Sequence, residues 1–62
     1  MKYIINGQET QLRFSGKVKD LLRRLEVSDQ IVIVKRNGEI ITELESVNDD
    51  DTIEIQQVVF GG

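Results

Sequence analysis

The chain opens on Lys2-Tyr3-Ile4-Ile5, breaks at Asn6-Gly7, and resumes with Thr10, Leu12 and Phe14 alternating against Glu9, Gln11 and Arg13. Asn-Gly between two such segments is a strong hairpin signal, because a type I′ turn needs positive φ at both central residues. The period then changes. Val18, Leu21, Leu22 and Leu25 stand at i, i+3, i+4 and i+7, with Lys19, Asp20, Arg23 and Arg24 between them. This spacing predicts an amphipathic helix of about two and a half turns with one apolar stripe. Neither Ser15 nor Gly16 heads a capping box, so its N-terminus is expected to fray.

Beyond the break at Ser28-Asp29, residues 31–34 are all β-branched, which predicts a strand meeting apolar material on both faces. Asn37-Gly38 repeats the hairpin signal, and residues 39–42 form the returning strand. Residues 43–47 read as an irregular connection, 48–51 as a polar turn, and 52–56 as a half-buried strand by strict alternation. One helix covers one face of a sheet, so the expected architecture is a two-layer α+β domain. Alternation assigns Met1, Tyr3, Ile5, Leu12, Phe14, Ile53 and Ile55 to the helix side. Ile4, one alternate set of residues 31–34, and either Val58 with Phe60 or Val59 are left for the open face. An apolar cluster there would mark an interaction site.

Composition narrows the function. At 62 residues, the chain is one small domain that buries about 60% of the surface it exposes unfolded, too little for a deep catalytic cleft. Ile, Leu, Val and Phe supply 22 of those residues, enough to drive folding without further help. No Cys is present, which excludes disulfides, thiolate nucleophiles and zinc–thiolate sites, and no His is present to act as a base near neutral pH. No catalytic residue is assigned. The net charge of −3 argues against nucleic acid as a partner. The longest apolar run, 31–34, is far shorter than a membrane span, and no signal-peptide core follows Met1. A cytoplasmic protein is expected.

The run Gln57-Val58-Val59-Phe60-Gly61-Gly62 carries the most distinctive chemistry. Glycine has no side chain, so an extended Gly-Gly segment passes through a channel too narrow for other residues and presents the Gly62 carboxylate to another enzyme. The competing reading is an ordinary frayed terminus. The chain divides on this view into a domain over 1–58 and a flexible tail over 59–62.

Three stretches, with that ending, resemble the ubiquitin-like β-grasp fold and in detail the sulfur carriers of the ThiS/MoaD family. They are residues 18–25 for the helix, Val34-Lys35-Arg36-Asn37-Gly38-Glu39 for the second hairpin, and Asp49-Asp50-Asp51-Thr52-Ile53-Glu54-Ile55 before the tail. The shortness of the chain is similar to the small archaeal-type modifiers that double as sulfur carriers. The resemblance implies a mixed sheet of four to five strands with one helix on one face. It further implies that a ubiquitin-activating-type enzyme uses ATP and magnesium to adenylate Gly62, and that a sulfur donor converts the adenylate to a thiocarboxylate. Gly61 and Phe60 would then govern access of the tail, and Ile4, Val58, Val59 and Phe60 would dock on the partner. The recipient of the sulfur would be a downstream synthase or a tRNA thiolation enzyme, in thiamine, molybdopterin or tungsten-cofactor synthesis or tRNA thiolation. No bound cofactor or metal is expected. Asp50 stands where the family usually has glycine, a turn position that favours left-handed geometry. Phe60 precedes the diglycine where ubiquitin itself has a basic residue.

Two other readings use the same residues. A protein modifier would pass the same adenylate to a target-protein lysine as an isopeptide bond. A non-covalent β-grasp adaptor or RNA-associated module would use Lys17, Lys19, Arg23 and Arg24 on the helix, with incidental glycines. The acidic run 49–51 lacks the spaced carboxylates of a calcium loop and reads as a solvated turn. Arg23-Arg24 and Lys35-Arg36 read as solvated faces and strand-edge protection.

Overall fold

The computed structural model describes residues 1–28 and 31–58. Strands β1 (Lys2–Ile5) and β2 (Gln8–Gln11) form the first hairpin, followed by β3 (Gly16–Lys17) and helix α1 (Val18–Arg24). Then come β4 (Val32–Arg36), β5 (Glu39–Ile41), β6 (Ser46–Val47) and β7 (Thr52–Gln57). Five of the strands make one mixed sheet in the order β2-β1-β7-β4-β5, and β3 pairs with β6 in a separate two-stranded ladder. The central pair β1 and β7 is parallel, with Tyr3 opposite Ile53 and Ile5 opposite Ile55. Its neighbours run antiparallel. Five strands in a mixed sheet and one helix among the described residues agree with the β-grasp resemblance, which implied four to five strands.

Both Asn-Gly pairs form the expected turns, with positive φ at Asn6, Gly7, Asn37 and Gly38. The asparagines also do something the turn signal does not announce. The Asn37 side chain accepts the Thr52 N–H at 3.2 Å, and the Asn6 side chain accepts the Gln57 N–H at 3.4 Å. The two hairpin turns therefore hold the two ends of the central strand β7.

Val18, Leu21 and Leu22 of the helical stripe are buried, and they pack with Val27, Val34, Ile41, Val47, Ile53 and Ile55 as the core. Met1, Tyr3, Ile5, Leu12, Phe14, Leu25 and Val32 close around it, half-buried. The helix has no side-chain cap at Lys17, in line with the missing capping box. Its other end is well made. Val27 N–H donates to Leu22 O at 3.0 Å and Glu26 N–H to Arg23 O at 3.1 Å, a Schellman arrangement closed by the buried Leu22 and Val27. The residue in its left-handed position is Glu26, at φ 61°.

The structure corrects four expectations. The second strand ends at Gln11 rather than at Phe14, because the Phe14 N–H donates to Asp49 Oδ1 at 2.8 Å and Ser15 Oγ accepts the Asp49 N–H at 3.1 Å. These bonds lead the chain into β3. Residues 43–47 are not wholly irregular, since Ser46 and Val47 pair with Lys17 and Gly16. The strand over 31–34 does not meet apolar material on both faces. Its register runs on to Arg36, Val34 is buried, and Ile33 stays 37% exposed, because one helix covers only one side of the sheet. Asp50, finally, does not adopt positive φ, so no left-handed strain arises at the position where the resemblance implied glycine. No helix among the described residues is long and apolar enough to cross a membrane.

Candidate tail root and docking surface

The expected site begins where β7 ends. Val58 N–H donates to Ile31 O at 2.9 Å, which carries the β4–β7 ladder one residue past the strands. On the other side of β7, Asn6 Nδ2 donates to Gln57 Oε1 at 2.6 Å while Asn6 Oδ1 accepts the Gln57 N–H. The last two described residues are thus held from β4 and from the first hairpin. Val59, Phe60, Gly61 and Gly62 lie outside the described residues, as do Asp29 and Gln30. The tail assignments at Val59, Phe60, Gly61 and Gly62 therefore have no structural description.

Ile4 is half-buried in a row across the open face, opposite Glu9 of β2 and Glu54 of β7, with Lys35 and Ile40 next in line. Lys2 Nζ lies 3.4 Å from Glu9 Oε1 on the same face. Ile4 thus sits among carboxylates, not in an apolar cluster. Four residues of strand separate its level on β7 from Val58, on the order of 13 Å. The structure does not bring these two predicted docking residues together.

The exposed apolar surface gathers elsewhere. Ile31 is 61% exposed and Ile40 71%, and with Ile33 they border a groove of about 380 Å³ floored by Leu22, Val34 and Ile41. Ile31 and Ile33 belong to one of the two alternate sets expected on the open face. Ile40 was missed, although its signal is present: of two adjacent isoleucines in a short strand, alternation buries only one, here Ile41. Leu44, 67% exposed in the turn after β5, had no periodic signal at all.

Electrostatics elsewhere serve the scaffold. Asp49 is held below the usual carboxylate range, first by the Met1 ammonium at 3.0 Å and then by the Phe14 N–H. Asp51 Oδ2 accepts the Asn48 N–H at 2.8 Å. Two members of the acidic run thus serve the turn that carries them. Lys17, Lys19, Arg23 and Arg24 are exposed on or beside α1, and Arg23 lies 3.8 Å from Asp20. Among the described residues no group of three acidic side chains converges as a metal site would need.

The ThiS family model matches residues 3–62, nearly the whole chain. Among solved structures, the thiamine biosynthesis protein (ThiS) from Geobacter metallireducens superposes with a TM-score of 0.67 at 29% identity, covering 100% of both chains. A thiazole synthase from Paramagnetospirillum magneticum is 39% identical over 66 residues. The match takes in the whole of this chain but only 20% of that protein's length.

Proposed function

The chain belongs to the ThiS family of small sulfur carriers, and from that premise we propose that the Gly62 carboxylate carries the sulfur and that the sulfur serves thiazole formation in thiamine synthesis. The observation that carries the reading is the reach of the family match, which runs through both terminal glycines. The likeness to a thiazole synthase supports the choice of pathway.

A carboxylate is a poor electrophile, so the partner enzyme must first activate it. A Gly62 oxygen attacks the α-phosphorus of ATP and pyrophosphate leaves, with magnesium held by the enzyme neutralising phosphate charge. A sulfur nucleophile on a donor then attacks the acyl carbon, and AMP leaves with the electron pair of the broken C–O bond. When that nucleophile is the outer sulfur of a persulfide, the product is an acyl disulfide. A thiol then attacks the donor's inner sulfur and forms a disulfide with it, and the electron pair of the broken S–S bond stays on the thiocarboxylate. This chain acts as carrier and not as catalyst. Its own contributions are a tail root fixed by Asn6 and Ile31, and two residues without side chains at the reacting end.

Intact mass spectrometry tests this directly. After incubation with the host's adenylating enzyme, ATP and a sulfur donor, the chain should gain the mass of one sulfur-for-oxygen exchange. Removal of Gly62 should abolish the gain. A ladder of lysine conjugates would instead indicate the modifier reading. An unmodified chain, under conditions in which the enzyme adenylates another carrier, would return the adaptor.

A further inference from the structure

The main-chain hydrogen bonds of β4 leave one ladder position open. In an antiparallel strand the N–H and C=O of one residue point to the same side, and successive residues alternate. Ile31 O accepts Val58 N–H, and Asn37 N–H donates to Thr52 O, so the odd residues of β4 point toward β7. Val32, Val34 and Arg36 therefore point toward β5. Val34 and Arg36 find Ile41 and Glu39 there. Val32 would face residue 43, but the chain has turned away: Glu43 O accepts the Lys19 N–H at 3.0 Å, and Glu45 Oε2 accepts the Thr42 N–H at 3.0 Å. Among the described residues, no partner answers the Val32 N–H and C=O on that side.

This open position lies in the groove bordered by Ile31, Ile33 and Ile40. An unpaired donor and acceptor beside exposed apolar side chains are what an added β-strand recognises, the main chain supplying affinity and the side chains selectivity. At the groove's rim stands Glu43, exposed and in no ion pair among the described residues. The same groove begins at Ile31, whose carbonyl anchors the root of the tail. We infer that the adenylating partner docks an extended segment into this groove. Its main chain pairs antiparallel with Val32, its apolar side chains cover Ile31, Ile33 and Ile40, and a Lys or Arg on it meets Glu43. The inference rests on the carrier reading, because it supposes that the protein acting on Gly62 is the one that sits over Ile31.

The test is ATP–pyrophosphate exchange by the host's adenylating enzyme, with the full chain as varied substrate. Val32→Pro removes the open N–H, a change tolerated where an edge N–H faces solvent. Ile40→Thr and Ile31→Thr trim exposed apolar surface while keeping β-branched residues. Each should raise KM about tenfold or more with kcat unchanged, whereas Gln11→Thr on the opposite edge strand should leave both within about twofold. Unfolding midpoints read in parallel show which variants are folded, and the two isoleucine variants keep the test open if Val32→Pro fails. A KM within about twofold of wild type for every folded groove variant, with wild type adenylated normally, overturns the docking and leaves the carrier reading standing. No adenylation of wild type overturns both. A concentration-dependent dimer that the groove variants dissolve assigns the edge to a second copy and overturns the partner strand.

Discussion

Replacing Glu26 by glycine should stabilise the protein. Glu26 occupies the left-handed position after α1 at φ 61°, where its N–H donates to Arg23 O and leads into the Val27–Leu22 bond. For a residue with a Cβ that geometry costs about 1–2 kcal/mol. Glycine escapes this cost but loses more freedom on folding, roughly 0.5–1 kcal/mol. The balance is a gain of about 0–1.5 kcal/mol, a rise in melting temperature of up to roughly 12 °C for a domain of this size. The side chain is exposed, so no packing is lost. Its charge also sits unfavourably at the helix C-terminus, and Glu26→Gln isolates that part, worth a few tenths of a kcal/mol. Thermal and urea unfolding followed by far-UV circular dichroism read the series. A Glu26→Gly protein that melts below the wild-type temperature, with an unchanged urea m-value, would refute the argument that this position is strained.

Leu21 is fully buried at the centre of the helical stripe, and Leu21→Ala should cost about 3–5 kcal/mol. The expected total for a domain of this length is about 3–9 kcal/mol, so the loss takes a third or more of it and the urea midpoint should fall in that proportion. Asn6→Ala removes both bonds to Gln57 and should increase amide exchange at Gln57 and Val58 more than at Ile53, which hydrogen-exchange mass spectrometry or NMR resolves. Asp49 contributes a pH dependence. Its folded pKa is depressed by the Met1 ammonium and the Phe14 N–H, so its stabilisation is present above the unfolded pKa and is lost as pH falls through the folded one. Asp49→Asn should therefore flatten the acid limb of a stability–pH profile while leaving its slope near neutrality unchanged.

The strongly periodic elements were legible and the tertiary pairings were not. Val18, Leu21, Leu22 and Leu25 carry a helical period because one face of α1 meets the sheet, and Asn6-Gly7 and Asn37-Gly38 carry their turns in the backbone geometry they tolerate. By contrast, β3 and β6 are two residues each, too short for any period. The early end of β2 depends on Asp49, thirty-five residues from Phe14 in sequence, and long-range side-chain bonds leave no local pattern. The same limit applies to the docking surface. Ile31 and Ile33 could be read from alternation within their own strand, whereas the groove exists because β5 stops at Ile41 and Glu43 is drawn to the helix by Lys19.

That departure links scaffold to site. Had β5 continued to pair with β4 past Ile41, residues 42 and 43 would have covered Ile33 and Val32, and the edge beside the tail root would be closed. Instead, the Glu43–Lys19 bond ties the connection to the start of α1, where no side-chain cap competes for the helix N-terminus. The weakly signalled helix start and the open edge of β4 are thus joined by one bond. Val34, paired on both sides and buried, keeps β4 in register beneath that edge. The strand can then present Val32 on one side while Ile31 holds Val58 on the other. A partner bound at the groove would be registered, through the single strand β4, against the chain that leads to Gly62.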